Sequence, residues 1–179
     1  DRTVRVWDVA TGACVQTLRG HTSFVNSAGF SPDGTKLVSA SEDRTVRVWD
    51  VATGACVQTL QGHTDYVNSA GFSPDGTKLI SASRDKTVRV WDVATGECVQ
   101  TLQGHTDRVL SAGFSPDGTN LVSASDDRTV RVWDVATGEC VQTLQGHTEA
   151  VMSAGFSPDG TKLVSASGDK TLWLWRVVR

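Results

Sequence analysis

Residues 43–84 read DRTVRVWDVATGACVQTLQGHTDYVNSAGFSPDGTKLISASR, and the residues on either side repeat this stretch almost letter for letter. Trp7, Trp49, Trp91, Trp133 and Trp175 are each 42 residues apart, as are His21, His63, His105 and His147, and Cys14, Cys56, Cys98 and Cys140. A fixed period of this length is the signature of a repeat architecture, in which each unit is one supersecondary element and the fold comes from stacking. The 179-residue chain is read as one array of four copies, 1–42, 43–84, 85–126 and 127–168, followed by an 11-residue remainder, 169–179. Only nine of the 42 columns vary among the copies.

Each copy contains four short segments rich in Val, Thr, Leu or aromatic residues: TVRVWDV, CVQTL, VNSAGF and KLVSAS or a close variant. Such segments favour pleated strands. They are punctuated by ATG, GHT and SPDG, where Pro and Asp-Gly promote tight reversal of the chain, and no helical periodicity intervenes. The expectation is four antiparallel strands per unit. A four-stranded sheet cannot cover both of its apolar faces, so neighbouring units must stack face to face, and a ring leaves few open sheets. The fold class expected is therefore all-β, a β-propeller of four-stranded antiparallel blades.

Composition narrows the function. Hydrophobic residues make up 39% and charged residues 21%, and no apolar run has the length of a membrane span. The net charge is −3, so the electropositive footprint of a nucleic-acid binder is missing. Four cysteines without a C-x-x-C do not make a disulfide framework, and no basic-then-apolar leader opens the chain, so a reduced intracellular location, cytoplasmic or nuclear, is expected. The chain begins at Asp1 and its single methionine is Met152, which reads as a processed, partial or engineered sequence.

Two motifs recur in step with the period: GHT at 20–22, 62–64, 104–106 and 146–148, and VWD at 6–8, 48–50, 90–92 and 132–134. In these residues the whole chain resembles the WD-repeat β-propeller family. The resemblance implies blades whose strands run a to d outward from a central channel, with His ahead of strand a and Trp-Asp closing strand c. It also implies a structural hydrogen-bond network in each blade: His21, Ser39, Asp43 and Trp49; His63, Ser81, Asp85 and Trp91; His105, Ser123, Asp127 and Trp133; His147, Ser165, Asp169 and Trp175. The C-terminal DKTLWLWRVVR departs from the pattern, with Arg176 in place of the motif Asp and an added Trp173, and reads as a terminal capping strand.

His, Ser and Asp together also invite a catalytic reading, as nucleophile, base and orienting acid. Four identical sets suit mechanics better than chemistry, and nothing like a G-x-S-x-G elbow surrounds these serines, so no enzyme activity is expected. The histidines lack clustered zinc spacing, and neither a metal nor a cofactor is expected. The cysteines read as packing residues on the outer strand. Arg5, Arg47, Arg89 and Arg131 read as a solvated edge in preference to an anion-binding rim.

Variation is concentrated just after GHT and just before the network Asp. The implied partner-binding residues are Phe24, Asn26 and Glu42, Tyr66, Asn68 and Arg84, Arg108, Leu110 and Asp126, and Met152. In the resembled family these positions lie on one face of the ring, and aromatic and Arg side chains are typical binding anchors. The function expected is a non-enzymatic scaffold for a protein or peptide, with no nucleic acid or membrane partner. The alternatives are a truncated or designed self-assembling propeller without a native partner, a one-site-per-blade glycan or small-molecule binder, and a hydrolase. Four blades close poorly alone, so a homodimer completing one eight-bladed ring is expected, with residues 1–8 as a surplus strand.

Overall fold

The computed structural model describes residues 1–177, and its 17 strands fall into five antiparallel sheets. The first sheet has two strands, β1 (Thr3–Trp7) and β2 (Cys14–Arg19). Three complete sheets follow: β3 (Val25–Phe30), β4 (Lys36–Ser41), β5 (Val46–Asp50) and β6 (Cys56–Leu60); β7 (Val67–Phe72), β8 (Lys78–Ser83), β9 (Val88–Asp92) and β10 (Cys98–Leu102); β11 (Val109–Phe114), β12 (Asn120–Ser125), β13 (Val130–Asp134) and β14 (Cys140–Leu144). The last sheet has three strands, β15 (Val151–Phe156), β16 (Lys162–Ser167) and β17 (Leu172–Arg176). Strands are paired in chain order throughout, as short turns between sequential strands require. The fold is all-β and propeller-like, but the sheets do not close into a ring. No helix is long and apolar enough to cross a membrane among the described residues.

Local chemistry sets the turns. In SPDG, the Asp33 carboxylate accepts bonds from the Ser31 and Thr35 hydroxyls and the Thr35 N–H, and Gly34 takes the left-handed φ of +71° that the reversal needs. The turn between β4 and β5 places Arg44 at φ 69°, and Lys86 and Arg128 repeat it at 72° and 70°. These non-glycine residues hold a costly backbone conformation because the Asp beside each is bonded on both sides.

Packing between sheets repeats one pattern. Val38, Ala40, Val46, Val48 and Leu60 of one sheet meet Val67, Leu79 and Trp91 of the next. The same contacts recur between the second and third complete sheets and between the third and the last. At the N-terminal end Val4 and Leu18 cover Leu37 and Trp49.

The four blades' worth of strands is laid out as three complete sheets with a two-stranded sheet at one end and a three-stranded sheet at the other, because β1 pairs with β2 and neither joins β17. In the C-terminal strand Leu172 and Leu174 are 74% and 70% exposed, and residues 178 and 179 lie outside the described residues. Two expectations are corrected. Of the cysteines, half-buried Cys140 packs against the core between the second and third complete sheets, but Cys14, Cys56 and Cys98 are exposed and are not packing residues. A register shift between Val48 and Trp49 sets Cys56 opposite Trp49 at the open outer strand. Arg47, Arg89 and Arg131 are not a solvated edge. Each is half-buried, its guanidinium lying where a Cβ on Gly20, Gly62 or Gly104 would be, and those of Arg89 and Arg131 sit 6.0 and 5.9 Å from the Trp91 and Trp133 rings.

Candidate binding face and the hydrogen-bonded centres beneath it

Beneath one end of each sheet lies a four-residue polar centre. His21 precedes β3, Ser39 sits in β4, Asp43 in the following turn and Trp49 in β5, so the centre ties two strands and two connections together. His21 Nδ1–H donates to Asp43 at 2.7 Å, Ser39 O–H donates to His21 Nε2 at 2.7 Å, and Trp49 Nε1–H donates to Ser39 Oγ at 2.8 Å. This tautomer satisfies every buried group, because indole only donates and imidazole does both. The other three centres repeat it within 0.1 Å, the last with Trp175 on Ser165 at 2.9 Å.

The bond pattern has the outline of a Ser-His-Asp triad, but Ser39 and Ser81 are fully buried and Ser123 and Ser165 are 1% exposed. A nucleophile must reach its substrate. Each of these hydroxyl oxygens instead accepts an indole N–H in a closed core.

Ionisation follows from the same contacts. Burial depresses the His21 pKa below 6.5 and outweighs the opposing pull of Asp43. Burial alone would raise Asp43, yet bonds from Thr45, His21 and Thr22 prevail and hold it at about 2. Asp85 and Asp127 are likewise held well below the usual carboxylate range. His21 and Asp43 each bind a proton more weakly in the fold than when unfolded, so each contributes stability at neutral pH that acid removes. The melting temperature is expected to fall from pH 7 as pH drops through the His range, then further between about pH 4 and pH 2 as Asp43 protonates. Calorimetry across that range checks this, and a flat profile from pH 7 to pH 3 contradicts it.

Above these centres the varied residues meet in pairs. The N–H of Glu42 donates to the Phe24 carbonyl, Arg84 to Tyr66, Asp126 to Arg108 and Gly168 to Ala150, each at 2.9 Å. Side chains then couple differently from sheet to sheet. Arg84 lies over the Tyr66 ring at 4.9 Å, while Arg108 forms an ion pair with Asp126 at 2.6 Å. Phe24 is 67% exposed, and Ala150 and Gly168 leave the fourth position nearly bare of side chain. Asn26 and Asn68 turn their amides toward the neighbouring sheet, donating to the Val67 and Val109 carbonyls at 3.0 and 2.8 Å. Leu110 is half-buried and Met152 is 55% exposed. This pairing of columns 18 residues apart was missed in the sequence, although their joint variation was the signal for it.

Four stretches, residues 12–50, 54–92, 96–134 and 138–176, match the family described as WD domain, G-beta repeat. The chain belongs to the WD-repeat family. This WD-repeat chain is 56% identical over 43 residues to nuclear distribution protein PAC1-2 of Uncinocarpus reesii, covering 24% of this chain and 9% of that protein. It is 49% identical over 43 residues to nuclear distribution protein PAC1 of Coccidioides posadasii, again 24% and 9%. It is 46% identical over 39 residues to a lissencephaly-1 homolog of Heterostelium pallidum, 22% of this chain and 9% of that one. Each match spans about one repeat, a small part of the relative. Trp173 sets the last WD repeat apart: it occupies the place of Arg131 and packs 5.1 Å from His147 and 5.2 Å from Trp175.

Proposed function

We propose that the chain is a non-enzymatic interaction scaffold that binds a protein or peptide across the face carrying Phe24, Glu42, Tyr66, Arg84, Arg108 and Asp126. One observation carries the reading: a nearly invariant frame holds a different side-chain pair on each sheet, and the pairs line the same end of successive sheets. A one-site-per-blade glycan binder would need identical exposed residues, which these are not. Membership of the WD-repeat family supports a role in protein interaction, and the buried serines argue against a hydrolase. The network residues serve as structural fixtures, and residues 1–179 act as one array. The chain assembles with itself, two copies supplying the sheets of an eight-bladed ring.

Peptide-array screening followed by titration tests the face. Tyr66→Ala and Arg108→Ala are each expected to weaken a captured peptide at least about thirtyfold, the equivalent of a 2 kcal/mol hot spot. The melting temperature should stay put, since sister copies carry Phe, Arg or Ala at these columns. Full affinity in the double variant would move the interface elsewhere on the surface.

A further inference from the structure

The last sheet exposes a face that every complete sheet buries. Val164 is 45% exposed, whereas its counterparts Val38, Ile80 and Val122 are at most 1% exposed. Leu172 and Leu174 stand in the places of Val46 and Val48, both buried against the next sheet. At the other end of the array Phe30 is 55% exposed, while Phe72, Phe114 and Phe156 are half-buried under the preceding sheet. The cause is plain: β1 and β2 correspond to the two outer strands of a blade, so they cover Leu37 and Trp49 and leave the inner half of that sheet open. Among the described residues no strand pairs with the outer edge of β17.

We infer that these two surfaces are halves of one junction whose occupant is a second copy of this chain, with β2 as an exchanged strand. This rests on the self-assembly proposed above. Sheet β15–β17 of one copy stacks on sheet β3–β6 of the other, and β2 of the second copy leaves β1 to pair with β17. The three internal junctions show that these surfaces fit, because they are built from the same positions. They also contribute a polar contact: Ser27, Ser69 and Ser111 hydroxyls accept the N–H of Ala70, Ala112 and Ala154 in the next sheet at 3.0, 3.2 and 3.3 Å. Ser153, exposed at the open face, offers the same acceptor to Ala28 of the second copy.

β1 and β17 are counterparts and compete for one place. β17 is paired along its length with β16, and Trp175 donates to Ser165. β1, which like β17 has one neighbour, is paired only with the outer strand β2 and has no inner strand to hold it, and Trp7 is 53% exposed. β1 therefore gives way. The register follows from β13 and β14, where Val130 faces Leu144 and Val132 faces Gln142: Leu172 meets Leu18 and Leu174 meets Gln16. Such a head-to-tail contact is heterologous, and it must close to avoid growing into filaments.

Light scattering on the whole chain tests this, with a mass of twice 19.1 kDa expected at tens of micromolar. Leu174→Asp places a charge in the junction but on a surface that is open in the single chain, so the fold is retained and dimer affinity drops at least about hundredfold. Val6→Pro disrupts only the displaced strand and should leave the double mass in place. A single-chain mass for the unaltered protein, or a mass climbing without plateau, overturns both the ring and the exchange. A dimer that survives Leu174→Asp overturns the stacked junction, and one that Val6→Pro disperses overturns the strand exchange alone.

Discussion

Trp91→Ala is expected to destabilise the protein by about 3–5 kcal/mol, the range for removing a large aromatic side chain from a packed core. Trp91 is 1% exposed and sits where two sheets meet, against Val38, Val48 and Leu60 of the preceding sheet. Its removal opens a void on that interface and leaves the Ser81 hydroxyl without its indole donor. The adjoining Arg89 guanidinium, half-buried beside Gly62, also loses the ring it lies against. The surrounding backbone is held in paired strands on both sides, so collapse into the void is limited. Urea titration measures the loss as a lowered midpoint. A change below about 1 kcal/mol would mean that the two sheets do not depend on each other as their packing implies.

Ser81→Ala is the second, and it removes a single oxygen. The hydroxyl is fully buried, donates to His63 Nε2 and accepts from Trp91 Nε1–H. Alanine fills nearly the same space, so the cavity contribution is small, but two buried polar atoms lose their partners at once. Each orphaned group costs roughly 1–3 kcal/mol, and the pair is expected to cost about 2–5 kcal/mol. The result separates structure from chemistry. Stability should fall while reactivity toward a serine-directed fluorophosphonate, absent in the unaltered chain, stays absent. Labelling of native Ser81 by that probe would show an accessible nucleophile and overturn the structural assignment of the centre.

How much of this was legible in the sequence depends on whether a feature recurs within a period. The strands over TVRVW, CVQTL, VNSAGF and KLVSAS lie where their residue types and turn signals place them, and the His and Ser of one copy meet the Asp and Trp of the next in each hydrogen-bonded centre. What could not be read is what the ends do. Residues 1–18 and 43–60 are identical, yet Trp49 is 1% exposed and Trp7 is 53% exposed. Burial there is decided by the neighbouring sheet, about which the local residues carry no information. Cys56 and Arg47 were also not legible, for a different reason. Their placement follows from a one-residue register shift beside Trp49 and from the missing side chain of Gly20, which lets a guanidinium settle on the backbone.

The paired varied columns have a consequence for how such a chain changes over generations. Each pair, Phe24 with Glu42, Tyr66 with Arg84 or Arg108 with Asp126, lies inside a single 42-residue unit. Because the units are nearly identical, gain or loss of a whole 42-residue unit would leave the remaining units in register. An insertion of that kind carries its pair along intact, and most of the apolar contacts between sheets accept it because they are the same at every internal junction. The proposed binding face is thus organised as movable words, whose order and number can change by gain or loss of whole units without respelling any one of them.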